Sequence, residues 1–290
     1  MRDYVIITES TSDLPVEIIE DLGIYVIPME YRVDEKDYFN YSDERELSAK
    51  DFYDKLRDGG KSTTSQINTV RYEDFFKEFL DKGLDILYIC FSSALSSTFN
   101  SSLIAIDDLK EKYKDRNIIS VDSRAASLGE GLLVYNAVAK KNEGLDIFEL
   151  EEWILENRDK LCHWFTVDDL KHLERGGRVS KMAATVGTAL DIKPVMHVNN
   201  EGKLVPVKKV RGRKKSLKEL ILKMKEFSVD TEDQLIFIGH GDALEDAIFV
   251  KELVEKKFNP KKIIINNIGP VIGSHSGPGT IALFFVGKQK

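Results

Sequence analysis

The chain has 290 residues, of which 31% are charged and 42% hydrophobic, and a formal net charge of -7. This is a globular composition with room for one long or two modest domains. The acidic total argues against a general nucleic-acid coat and against adhesion to an anionic membrane.

The two cysteines, Cys90 and Cys162, lie in apolar stretches. That fits a reducing compartment better than a disulfide framework. The N-terminus runs Met1-Arg2-Asp3-Tyr4 directly into Val5-Ile6-Ile7, without a long apolar leader. No run approaches the roughly 20 apolar residues of a membrane span. The cytoplasm is the expected location.

In chain order, Tyr4–Thr8 reads as a strand, Pro15–Leu22 as a short helix opened by Asp13, and Ile24–Met29 as a second strand. Ala49–Arg57 and Tyr72–Lys82 have helical spacing of Phe, Tyr and Leu. Asp85–Phe91 is a buried strand, Ser101–Tyr113 a helix and Asn117–Val121 a strand. Helices follow near Leu128–Lys141 and Ile147–Asn157. Such β-α alternation favours an α/β fold, with a mostly parallel sheet covered by helices on both faces.

The texture changes after Lys160. Leu161–Val167 reads as a strand, Asp169–Leu173 as a short helix and Arg175–Arg178 as a turn. Ile192–Val198 and Leu204–Val210 flank Asn199-Asn200-Glu201-Gly202, a hairpin signal foreign to simple parallel winding. We therefore expect an N-terminal α/β domain over 1–160. A C-terminal α/β domain over 161–290 should carry a mixed sheet containing the hairpin. Within it, helices at Ser216–Phe227 and Leu244–Lys257 alternate with strands at Gln234–Gly239 and Lys262–Ile268, and Ile281–Val286 is a last strand.

Clustered hydroxyls or glycines mark the places where chemistry can reside. They are Thr8–Pro15, Ser62–Gln66, Ser92–Thr98 and the glycine-rich turn Ile272–Thr280, which contains His275. In an open α/β sheet, ligands bind at the carboxyl ends of strands. Ser, Thr and Asp before a helix are also ordinary N-caps. The density of hydroxyls at Ser62–Gln66 and Ser92–Thr98 exceeds what caps need and suggests a receptor for a carboxylate or phosphate. A serine nucleophile needs a base and an oxyanion hole, yet no Gly-x-Ser-x-Gly elbow is present. There is also no P-loop, dinucleotide fingerprint, HExxH pair or CxxC. His163 and His197 lie inside apolar strand patterns, His172 lies on a short helix, and Gly239-His240-Gly241-Asp242 reads as a small structural turn. The basic run from Lys208 to Lys215 reads either as a solvated strand end or as a source of one arginine for an anionic ligand or an acidic partner.

Taken in order, several pieces resemble the DegV family of bacterial proteins, which includes the fatty-acid-binding subunits of bacterial fatty acid kinase. They are Glu9–Leu14, Thr64-Ser65-Gln66, Ser92–Ser101, Leu173–Val179, Ile192-Lys193-Pro194, Lys209-Val210-Arg211 and Gly273–Gly279. The chain departs from the family pattern at Glu9, usually aspartate, at Ala94 and Ser97, usually glycines, and at Ile67, usually proline.

The resemblance implies a two-domain DegV-like fold with a long-chain fatty acid held between the domains. Thr64 and Ser96 would bind the carboxylate, and His275 would close the corner. Ser65, Ser97, Gly273, Ser274 and Gly277 would form the head-group loops. Arg211 would lie near the ligand or face the kinase. No cofactor and no metal are implied. The protein would be a lipid carrier rather than an enzyme. It would present the carboxylate to a separate ATP-dependent kinase, and the acyl phosphate would pass toward phospholipid synthesis. About fifteen buried methylenes give a gross gain of about 12 kcal/mol before the costs of ordering. The alternatives are a Ser/His acyl hydrolase or transferase built on Ser96 and His275, and a binder of another acidic amphiphile.

Overall fold

The computed structural model describes residues 3–180 and 191–290. Its first half contains β1 (Tyr4–Glu9), α1 (Val16–Leu22), β2 (Tyr25–Ile27), β3 (Met29–Val33), β4 (Lys36–Asn40), α2 (Ala49–Arg57) and β5 (Ser62–Thr64). These are followed by α3 (Thr69–Leu80), β6 (Asp85–Cys90), α4 (Thr98–Lys112), β7 (Ile118–Asp122), α5 (Leu128–Asn142) and α6 (Ile147–Asn157). The second half contains β8 (Leu161–Thr166), α7 (Lys171–Arg175), β9 (Ile192–Val198), β10 (Leu204–Arg211) and α8 (Arg213–Phe227). It ends with β11 (Leu235–His240), α9 (Leu244–Phe258), β12 (Lys262–Asn267), α10 (Pro270–Ser276) and β13 (Ile281–Val286).

Strands β2-β1-β6-β7 form a four-stranded parallel sheet. Alternate residues serve opposite faces. Ile6, Leu87, Ile89 and Val121 pack with α5, whereas Ile7, Ile86, Tyr88 and Cys90 pack with Tyr72, Phe76, Ala105 and Ile106 of α3 and α4. Helices thus cover both faces, which is why the strands read as unbroken apolar runs. The second sheet is six-stranded and mixed, in the order β10-β9-β8-β13-β11-β12. The β9–β10 hairpin is antiparallel, and β11–β12 is parallel. One face packs on α8 and α9 through Trp164, Ile236, Leu283 and Phe285. On the other, Phe165, Phe237, Ala282 and Phe284 share a cluster with Leu132, Leu133 and Val134 of α5. Helix α5 therefore lies between the two sheets.

A third sheet, β4-β3-β5, is antiparallel and differs from the sequence expectation. Ile24–Met29 is not one strand. Pro28 separates β2 from β3, and the two go to different sheets. Proline lacks the N–H needed to continue a ladder. Ser62–Thr64 is a strand rather than a loop between helices, and it pairs Thr64 with Tyr31. The Ile272–Thr280 turn is also reassigned, because Pro270–Ser276 is helical, with Pro270 at its first position. Asp13 does not cap α1. It adopts a left-handed conformation, and its carboxylate accepts from Ser127 Oγ and from Gly269 N at 3.0 Å.

Because Leu132 is 1% exposed in the core shared by both sheets, Leu132→Ala should cost about 2–5 kcal/mol. Chemical denaturation followed by circular dichroism should show the whole protein unfolding in one earlier transition. Loss of one sheet while the other persists would contradict a shared core.

Candidate functional site

A cavity of about 570 Å³ opens where the three sheets meet. That is within the roughly 300–1,000 Å³ of small-molecule sites. Its wall changes character with depth. Ser65, Gln66, Ser93 and Ser97 line its exposed end, with Thr64 and Ser96 half-buried beside them. The buried lining is chiefly apolar, with Phe165, Leu173, Val198, Ala282 and Phe284, interspersed with His163 and the hydroxyls of Thr11, Ser127, Ser276 and Thr280. The mouth thus offers hydroxyls, and the interior offers mostly hydrocarbon surface.

Each hydroxyl is placed by its element. Thr64 ends β5, held against β3, and its Oγ1 lies 2.9 Å from His275 Nε2. Next to this pair, Ser62 Oγ and Ser274 Oγ are 2.6 Å apart, and the Ser274 hydroxyl donates to Pro270 O. These contacts fasten the three-stranded sheet to α10. Ser96 precedes α4, shares a 2.5 Å hydroxyl contact with Thr98 and accepts from Thr98 N at 3.3 Å.

His275 is shaped by its neighbours. A Cβ at Gly176 would overlap its ring, so only glycine permits this approach. Burial, with help from Arg178 and Arg175, lowers the imidazole pKa to about 4. His275 is therefore neutral near pH 7. Its Nδ1 is buried and has no partner among the described residues. A catalytic base requires a hydrogen-bonded nucleophile and an orienting group. Here the ring meets Thr64 rather than Ser96, and among the described residues none is bonded to Nδ1.

The expected site residues divide into two groups. Thr64, Ser96 and His275 all border the cavity, as do Ser65 and Ser97. Gly273, Ser274 and Gly277 are not among its lining residues. Gly273 packs against Phe52 and Tyr53, and Gly277 against His172, because α10 turns these positions toward protein. Arg211 is exposed at the end of β10, opposite Ile192, and also lies outside the wall.

Arg178 was not expected to be at the site but borders the cavity. Its Nε donates to Leu95 O at 3.0 Å and its Nη1 to Gly176 O at 2.5 Å. The hydroxyl-lined mouth of the cavity therefore has a cation as well as neutral donors. The Leu173–Val179 motif contains Arg178, but its contact with Leu95 depends on tertiary folding. Among the described residues, no group of His, Cys, Asp and Glu is arranged to hold a metal ion. No helix among them is long and apolar enough to cross a membrane.

Beneath the mouth lies a buried carboxyl cluster. Thr8 and Thr11 donate to Glu130 at 2.8 and 3.0 Å, and Phe91 N donates to Glu9 at 2.7 Å. Burial pushes Glu9 and Asp13 each up to about 7, and burial together with Glu9 raises Glu130.

The family model described as "uncharacterised protein, DegV family" matches residues 3–288. The chain belongs to the DegV family. A DegV domain-containing protein of Clostridium perfringens is 48% identical over 290 residues, covering 100% of this chain and 99% of its own. A Streptococcus agalactiae structure described as a fatty acid binding DegV family protein matches with TM-score 0.86 and 30% identity, covering 100% of both chains. One from Thermus thermophilus, described under fatty acid binding of a DegV family protein, matches with TM-score 0.88 and 27% identity, covering 99% of this chain and 100% of its own.

The buried carboxyls set a pH dependence. Unfolded, Glu9 and Asp13 ionise near 4.5 and 3.8, whereas folded they hold protons up to about 7. Their contribution to stability is complete below the unfolded values and is lost as pH rises through about 7. His275 acts in the opposite sense at lower pH, so the informative quantity is a difference between proteins. Glu9→Gln should flatten the fall in Tm between pH 5 and 8 relative to the parent. An unchanged profile by scanning calorimetry would mean that Glu9 does not carry that proton.

Proposed function

We propose that this protein binds a long-chain fatty acid, with the carboxylate at the Thr64–Ser96–His275 corner and the tail in the apolar depth. The observation that carries the reading is the change along one cavity wall from exposed hydroxyls to buried Phe, Leu and Val. The fatty-acid-binding description of the 30%-identical Streptococcus agalactiae relative supports it. Taken as its Nε2–H tautomer, neutral His275 donates to Thr64 Oγ1, which turns the threonine proton toward the ligand. Ser96 supplies a second hydroxyl donor, and Arg178 offsets the carboxylate charge. Without such partners a buried carboxylate would be very costly.

In this reading the chain is a carrier in the cytoplasm and not an enzyme by itself. It comprises an N-terminal unit over 1–160 and a C-terminal unit over 161–290. The exposed position of the hydroxyl-rich mouth supports delivery of the carboxylate to a second protein. There, a separate ATP-dependent kinase brings ATP and metal. A carboxylate oxygen forms a bond to the γ-phosphorus, the bond from that phosphorus to ADP breaks, and acyl phosphate leaves toward phospholipid synthesis. Arg211, exposed at the end of β10, is assigned to the kinase-facing surface.

Mass spectrometry of an organic extract of the purified protein should yield a stoichiometric C14–C20 fatty acid. Recovery of only a nucleotide or sugar phosphate would contradict the reading. Thr64→Ala and His275→Ala should each weaken retention by roughly 10- to 100-fold, the equivalent of a hydrogen bond to a charged group. Retention equal to the parent's would remove those residues from the site. With a fatty acid kinase and ATP, hydroxylamine should trap acyl hydroxamate from the parent. Arg211→Ala should reduce the yield while leaving fatty-acid retention unchanged, and an undiminished yield would overturn its assignment.

A further inference from the structure

The deep wall contains a polar side chain that binding of a carboxylate leaves unused. His163 borders the cavity, is 2% exposed, and has no hydrogen-bond partner among the described residues at either ring nitrogen. Its placement follows from strand geometry. His163 and Phe165 project from the same face of β8. Antiparallel pairing sets Phe284 opposite His163 and Ala282 opposite Phe165. All four border the cavity, three of them hydrocarbon and one imidazole.

The ring is held in place. It meets Phe284 edge to face, with centroids 5.5 Å apart and planes at 69°. Behind it lies Gly129 of α5, where any Cβ would overlap the imidazole. Burial keeps the ring neutral, reinforced by the positive charge of Lys290 and by His197. A neutral imidazole presents one N–H donor and one lone pair. A buried group with both unused calls for a partner, since buried polar side chains are normally hydrogen-bonded.

In the fatty-acid reading that partner is not the carboxylate, which is assigned to the Thr64–Ser96–His275 corner. The Thr166–Ile281 pair adjoins Thr280, beyond the end of α10. The His163–Phe284 pair lies three residues further along the ladder, about 10 Å away at the rise of a strand. A hydroxyl can donate to the imidazole lone pair or accept from its N–H, so it answers either tautomer. We propose that the tail slot is built for a long-chain fatty acid carrying a mid-chain hydroxyl, and that His163 binds that hydroxyl. This rests on the fatty-acid reading above and specifies its ligand.

Delipidated protein should be titrated by calorimetry at pH 7 with octadecanoate and with its 2-, 10- and 12-hydroxy derivatives. The 10- or 12-hydroxy acid should bind about tenfold more tightly than octadecanoate, a difference of about 1.4 kcal/mol. The 2-hydroxy acid, with its hydroxyl beside the carboxylate, should show no such gain. His163→Leu should abolish the preference while still binding octadecanoate. Octadecanoate binding as tightly as both mid-chain hydroxy acids would overturn the inference and leave fatty-acid binding intact. A preference that survives in His163→Leu, or a gain confined to the 2-hydroxy acid, would also overturn it. Failure to bind any of the four would instead refute the fatty-acid reading. The parent's own binding ratios decide the matter even where the variant is too unstable to assay.

Discussion

The contact between Thr64 Oγ1 and His275 Nε2 joins residues 211 apart in the chain and closes the mouth of the cavity. Thr64 belongs to a short edge strand that has no apolar residue of its own. His275 belongs to a glycine- and serine-containing helix of low intrinsic propensity. Neither element is self-sufficient. The Ser62–Ser274 hydroxyl contact holds the same two elements together, and the bond from Tyr53 Oη of α2 to Ile268 O at 2.8 Å anchors the loop that leads into α10. The groups proposed to receive a ligand are therefore also groups that keep the mouth assembled.

Charge is distributed around the cavity in a consistent way. The buried carboxyls Glu9, Asp13 and Glu130 lie beneath the wall, where burial favours their neutral forms. They accept from Thr8, Thr11, Ser127 and backbone N–H groups, so the apolar interior is not set against a layer of bare charge. Arg178 stands at the opposite end of the balance. It bridges Leu95 O and Gly176 O, and its charge helps keep His275 neutral. A neutral imidazole beside a fixed guanidinium can serve one incoming anion without carrying a second charge that would need compensation.

Much of this was legible in the sequence where elements are locally determined. The apolar run of β6 and the helical spacing of α2 specify their own structure, and the hairpin declared itself through Asn199–Gly202. The hydroxyl clusters Ser62–Gln66 and Ser92–Thr98 stood out as too rich for capping alone, and the resemblance to the DegV family singled out Thr64, Ser96 and His275. The third sheet was hidden because β5 is three polar residues whose strand character comes wholly from pairing with β3. The glycines of α10 suggested a loop near a ligand, yet they make room for Phe52, Tyr53 and His172. Arg178 and His163 were visible as residues but not as cavity walls. One depends on a loop 83 residues away, and the other on the register of β8 against β13.

In the proposed reading, one cavity holds a fatty acid with its carboxylate at the mouth and its chain inside. A crystal structure of the protein grown with octadecanoate tests this most directly. The account predicts continuous density from the Thr64–Ser96 corner into the space lined by Phe165, Val198 and Phe284, with a carboxylate oxygen in hydrogen-bond contact with Thr64 Oγ1. Density for the acid elsewhere on the protein, or with its carboxylate at the deep wall, would contradict it.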